Sequence, residues 1–164
     1  MSYLDAKTVY QITDRIITFL NENLIYPYEQ ASSKLRGNDF VKGQNFALTG
    51  NFPKIQVIPV NFQPDHITQQ KSGYLDINYI DFIIYYYNQN AHRFTFQDTG
   101  LTLINEAQNF EYLQYVKKTL KDNVTDFDEY IHRFRFGSIS KPTFNKNNNV
   151  WMGMLPFSGL TTER

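Results

Sequence analysis

The segment Tyr74 to Tyr87, YLDINYIDFIIYYY, constrains the fold more than any other part of this chain. Its density of β-branched and aromatic residues predicts a long β-strand. Leu75, Ile77 and Tyr79 share one parity, with Asp76 and Asn78 on the other. From Ile80 onward the apolar set is Ile80, Phe82, Ile84 and Tyr86, on the opposite parity. A strand has a period of two, so this change of phase implies a bulge, a bend, or a strand covered on both faces. A long aromatic strand of this kind also predicts a sheet that reaches out to a neighbouring molecule.

The other elements are arranged around it. Val9, Ile12, Ile16, Phe19, Leu20 and Leu24 recur every three or four residues, which predicts an amphipathic helix over Thr8 to Leu24. Asp5 is its candidate N-cap, and Tyr26-Pro27 stops it, because the residue before proline avoids the α region. Residues 29–51 show no sustained period and contain Gly37, Gly43 and Gly50, so a long loop is expected, with a short strand around Asn45 to Thr49. Phe52 to Phe62 reads as a strand in which Pro59 demands an edge position or a break. The polar segment Gln63 to Gly73 returns the chain to the aromatic strand, as in a hairpin.

After Tyr87, a turn at Asn88 to Asn90 leads to a short strand over Arg93 to Gln97, with Phe94 and Phe96 inward. A second helix is marked by Phe110, Leu113, Val116 and Leu120. Lys117, Lys118 and Lys121 suit its C-terminal dipole, and Leu103, Ile104 and Ala107 lie off its stripe. The helix therefore starts near Glu106, after an extended lead-in at Leu101 to Ile104. Two last strands are expected, Tyr130 to Ser140 and Val150 to Leu160, separated by a turn at Asn145 to Asn149. The order predicts one α+β domain over 1–164: a mostly antiparallel sheet with two amphipathic helices packed on one face. The other face is left rich in aromatic groups and in need of a partner. Tyr74, Tyr79, Tyr85, Tyr87, Arg133, Arg135 and Trp151 are the candidate interface residues.

Composition narrows the function. Sixteen Lys plus Arg balance sixteen Asp plus Glu, which argues against free nucleic-acid binding, since that needs a basic footprint. The 12 Tyr and 14 Phe tilt the expectation toward sheet and assembly. With no cysteine, disulfides, thiolate metal sites and Cys nucleophiles are all excluded. The polar start and the short apolar runs predict no signal peptide and no membrane span, hence a cytoplasmic protein.

Asp98-Thr99-Gly100 matches the aspartic-protease triplet, and two copies of Asp98 would share a proton across a dimer. The triplet is also ordinary turn chemistry; Leu101 replaces the usual small residue, and Arg135 interrupts the later apolar-apolar-Gly element, so the turn is preferred. His66, His92 and His132 share no metal-ligand spacing. Asp76 and Asp81 fall on opposite parities of one strand, and no Glu-x-Lys follows to complete a nuclease site. Asp126, Asp128 and Glu129 lack the glycine and spacing of a calcium loop. Arg133 and Arg135 alternating with Phe134 and Phe136 could stack single-stranded bases, but the neutral chain favours a half-buried strand. No catalytic, cofactor or metal residue is expected.

The order of helix, FPKIQVIPV, LDINYIDFIIYYY, FEYLQYVKKTLKDN and a closing VWMGMLPFSGLTTER resembles the tail terminator, or tail completion, proteins of long-tailed bacteriophages. It is similar, less specifically, to their neck and head–tail joining proteins. The resemblance implies a non-enzymatic subunit that closes as a ring, typically hexameric, on the completed tail tube. Such a ring stops tube growth and offers a surface to the head connector. Its partners would be itself, the tube protein and the connector, first in the host cytoplasm and then in the virion tail. Two alternatives stand beside it: a non-viral adaptor that binds through exposed strand edges, and a hydrolase at Asp98.

Overall fold

The computed structural model describes residues 9–24, 41–42, 54–64, 76–89, 93–95, 102–127 and 131–163. The element order is α1 (Val9–Asn23), β1 (Val41–Lys42), β2 (Lys54–Pro64), β3 (Asp76–Gln89), β4 (Arg93–Thr95), β5 (Thr102–Ile104), α2 (Asn105–Asp122), a 3-10 turn (Val124–Phe127), β6 (Arg133–Phe136), β7 (Thr143–Asn145) and β8 (Val150–Glu163). The fold is α+β, as the order of elements implies. A six-stranded sheet runs β1-β2-β3-β8-β6, with β7 also paired to β8. Every pairing in it is antiparallel except β1 with β2.

The phase change in the aromatic strand has a definite cause. β3 pairs with β8 without interruption from Asp76↔Glu163 to Gln89↔Val150, so β3 itself has no bulge. Its apolar residues simply occupy both parities. Ile80, Phe82, Ile84 and Tyr86 are buried, while Tyr79, Ile83 and Tyr85 are half-buried on the reverse side. The irregularity lies in the neighbour: the β2–β3 register shifts between Pro59 and Asn61. Pro59 has no N–H to give a ladder, and the slip leaves Val60 unpaired and 52% exposed.

Both helices pack on the face that carries Phe82. α1 lies over β2 and β1, and α2 lies over β8, β3 and β6. Ile12, Ile16, Phe19 and Leu20 of α1 join Ile55, Val57, Ile84, Leu155 and Phe157 of the sheet in one core. α2 adds Tyr112, Leu113, Val116 and Leu120. Phe110 is only half-buried, so the inward stripe of α2 runs through Asn109 and Tyr112 rather than through Phe110. Aromatic pairs fill this core: Phe82 stacks on Phe157 at 5.1 Å, Tyr86 on Tyr112 at 4.5 Å, and Phe127 meets Phe19 edge-on at 4.7 Å.

α2 can approach β8 closely because Gly153 lies on that face, while Gly159 leaves room for Ile131. A Cβ at Gly153 would collide with Asn109 Oδ1 and lie 2.8 Å from Leu113 Cδ1. Asn109, fully buried, donates from Nδ2 to the Tyr86 carbonyl at 3.0 Å and to Asn88 Oδ1 at 2.9 Å. These bonds stitch the helix to the end of β3, where a polar group would otherwise be buried at a cost.

Other expectations are corrected. The extended lead-in to α2 is present, but Thr102–Ile104 pairs with Arg93–Thr95 in a separate two-stranded sheet. The strand expected over Tyr130 to Ser140 is shorter, Arg133–Phe136; Gly137 N–H makes a last bond to the Pro156 carbonyl at 2.8 Å, and the residues after it leave the ladder. Thr143–Asn145 forms an additional short strand, so the last turn joins β7 to β8. Asn149 there has φ 55°, a left-handed conformation that Asn tolerates, and Asn147 N–H donates to Asn145 Oδ1 at 2.9 Å. The strand expected at Asn45 to Thr49, the N-cap at Asp5 and most of the loop over 29–51 lie outside the described residues; within that loop Val41–Lys42 pairs parallel to Ile55 and Gln56.

Candidate interaction surface

The reverse face of the sheet is built from the second parity of each long strand. Registers place Ile58, Ile83 and Pro156 in one row across β2, β3 and β8. Gln56, Tyr85 and Met154 form the next row, and Lys54, Tyr87 and Met152 the one after. Ile58, Ile83, Tyr85, Met152, Met154 and Pro156 are each half-buried, and no described helix packs on them. The result is an apolar belt with two tyrosines and two methionines, side chains that adapt to varied partners.

At one end the belt gives way to polar groups. Asn61, Asp81, Ser158 and Arg135 are paired in register across four strands. Ser158 Oγ donates to Asp81 Oδ1 at 2.5 Å, and Asn61 Nδ2 reaches Asp81 Oδ2 at 3.4 Å. The Arg135 guanidinium crosses β8 to lie 4.6 Å from the centre of the Tyr79 ring, a cation–π contact between β6 and β3. Charged groups at the margin of an apolar patch give orientation and rate more than strength.

At the opposite end, Tyr87 and Val150 form a small second core with Tyr85 and Met152 around them. Tyr87 Oη donates to Gln56 Oε1 at 3.1 Å, and its ring lies 6.1 Å from that of Tyr85. Burial, and then the neighbouring Tyr85 phenol, push the Tyr87 pKa up to about 12. Tyr86, on the helix side, is pushed well above the ordinary tyrosine range by burial alone.

Of the residues singled out from sequence, Tyr79, Tyr85, Tyr87, Arg133 and Arg135 share this face by strand parity. Trp151 does not. It sits opposite Asn88, on the parity of Gly153 and Leu155, and packs against Phe144 at 5.0 Å. Tyr74 lies outside the described residues, as do His66, His92, Asp98, Asp128 and Glu129. Sequence reading missed Ile58, Ile83, Met154 and Pro156. Their signal was available only by aligning the strands, because each looks like an ordinary core residue on its own strand. Missed too was the Asn61–Asp81–Ser158–Arg135 row, which brings together four separate segments.

His132 is exposed, and its backbone N–H donates to the Leu160 carbonyl at 2.8 Å. Among the described residues, no group of three or more His, Asp or Glu is placed to hold a metal ion. No helix among them is long and apolar enough to cross a membrane. No family model matches the chain, and no curated protein matches it.

Proposed function

We propose that this protein is a structural assembly subunit of the phage tail terminator kind, which closes as a homo-oligomeric ring on a tail tube and meets the head connector. The observation that carries the reading is the two-sided character of β3 and β8. One side of the sheet is sealed by α1 and α2, while the other offers a continuous belt from Ile58 to Met154 bordered by Arg135 and Asp81. An apolar belt rimmed by polar groups is what proteins cover by assembly. In this reading the belt meets a neighbour in the particle, and the protein acts by occupying a position rather than by chemistry. Its place is the host cytoplasm during assembly and the virion tail afterwards.

The test is mass in solution over a concentration series, by light scattering after size exclusion. A discrete species near six copies supports the reading. A monomer at every concentration counts against a ring subunit and favours an adaptor that uses the belt for a different protein. A dimer whose peptidase activity disappears in Asp98→Asn would replace the reading with a hydrolase.

A further inference from the structure

The two flanks of the helical layer carry opposite charge. α2 and the segment after β6 enclose a cleft of about 790 Å³. Lys117, Lys118 and Lys121 line it, with Phe110, Gln114 and Phe136 between them. Lys117 Nζ stands 5.7 Å from the centre of the Phe136 ring, so the cleft has an aromatic wall with cations along it. Among the described residues Asp122 is the one acidic lining group, against three lysines. A helix C-terminus tolerates one or two lysines for dipole reasons. Three lysines beside an open aromatic groove exceed that need.

On the other flank, α1 lies over β2 and β1 and turns Tyr10, Asp14, Thr18 and Glu22 outward. Tyr10 is 63% exposed, the most exposed large apolar group among the described residues. Among the described residues of α1 the one cation, Arg15, is half-buried, with its guanidinium 5.6 Å from the centre of the Phe127 ring. The arc therefore shows two carboxylates and one aromatic ring. At 1.5 Å per residue, Tyr10 to Glu22 spans roughly 18 Å, and Phe110 to Lys121 spans roughly 16 Å.

We infer that the lysine cleft of one copy receives the outward arc of α1 from the next copy. Three features converge on a second copy as the occupant. The charges are complementary, the two surfaces have similar length, and each offers an aromatic group to the other. They also lie on opposite flanks, since α1 covers the β1–β2 side of the sheet and the cleft opens beside β6. Contact between two different flanks is heterologous, and a heterologous contact that closes makes a ring. This inference rests on the ring reading above and assigns its lateral contact; the apolar belt stays free for tube or connector.

Two charge-reversed proteins test it. Asp14→Lys with Glu22→Lys makes both flanks basic, and Lys117→Glu with Lys121→Glu makes both acidic. All four positions are solvent-facing or line an open cleft, so folding can be checked by circular dichroism before association is measured. Each protein alone should lose self-association by roughly a hundredfold or more, as like charges then face each other. Mixed in equal amounts they should recover it, because each basic arc then meets an acidic cleft and each acidic arc a basic one. Association of the unaltered protein should also weaken as salt is raised. If each reversed protein alone associates like the unaltered one, or if mixing restores nothing, the assigned contact is wrong while the ring stands. If the unaltered protein never associates, the ring reading and this contact fall together.

Discussion

The two faces of β3 carry the same kinds of side chain and face opposite conditions. Ile80, Phe82, Ile84 and Tyr86 are sealed beneath helices, while Tyr79, Ile83 and Tyr85 remain half-buried on the sheet's other side. Equal hydrophobicity therefore has unequal consequences. On the helix side, shape decides, because the neighbours are fixed and close-packed. On the belt side, apolar character is retained without a described covering element, and its value lies in what arrives later.

That contrast can be broken most severely at β8, where α2 comes closest. Gly153→Val should prevent folding, since its first carbon already meets Asn109 Oδ1 and Leu113. Soluble yield and far-UV circular dichroism would report it, and a folded, stable Gly153→Val protein would show that α2 does not sit as described. Next in size, Phe82→Ala should cost roughly 3–5 kcal/mol in urea unfolding, because it removes a buried ring stacked on Phe157.

Alkaline titration separates the two tyrosines at the end of the strand. Both Tyr86 and Tyr87 hold their protons more tightly when folded than the ordinary value of about 10. Between about pH 10 and 12 the unfolded chain thus binds fewer protons, and stability falls as pH rises. Their contribution is intact below pH 10 and is lost through the folded-state values. Tyr86→Phe should flatten this decline, measured as urea midpoint against pH. At neutral pH the same change should be neutral or stabilising, since the buried Tyr86 hydroxyl has no hydrogen-bond partner among the described residues. A marked loss of stability at pH 7 would reveal a partner for that hydroxyl.

The smallest effect is expected on the belt. Tyr85→Ser should change the stability of the folded chain by less than about 1 kcal/mol, in contrast to Phe82→Ala three residues away. Differential unfolding of the two variants sharpens the comparison directly. Equal losses would mean that the belt is covered as thoroughly as the core.

Much of the architecture follows from local pattern alone. The spacing of Ile12, Ile16, Phe19 and Leu20 requires a helix with one apolar face. The β-branched and aromatic run in β3 requires a long strand, and of the edge position or break that Pro59 demanded, the register shift supplies the break. The extended lead-in before α2 was legible because Leu103 and Ile104 fall off the helical stripe. These are short-range effects, set by backbone sterics and periodicity within a few residues.

Tertiary structure decided what periodicity cannot reach. Which residues share the belt depends on register, and register joins Ile58, Ile83 and Pro156 from segments far apart in the chain. The same pairing turns Trp151 to the helix side and aligns Asn61, Asp81, Ser158 and Arg135 into one row. The lysines of α2 read as dipole partners until the residues after β6 close a groove beside them. By itself, the sequence determined where helices and strands form, because those rules act over a few bonds. Only the assembled sheet decided which side chains act together, because that depends on long-range pairing.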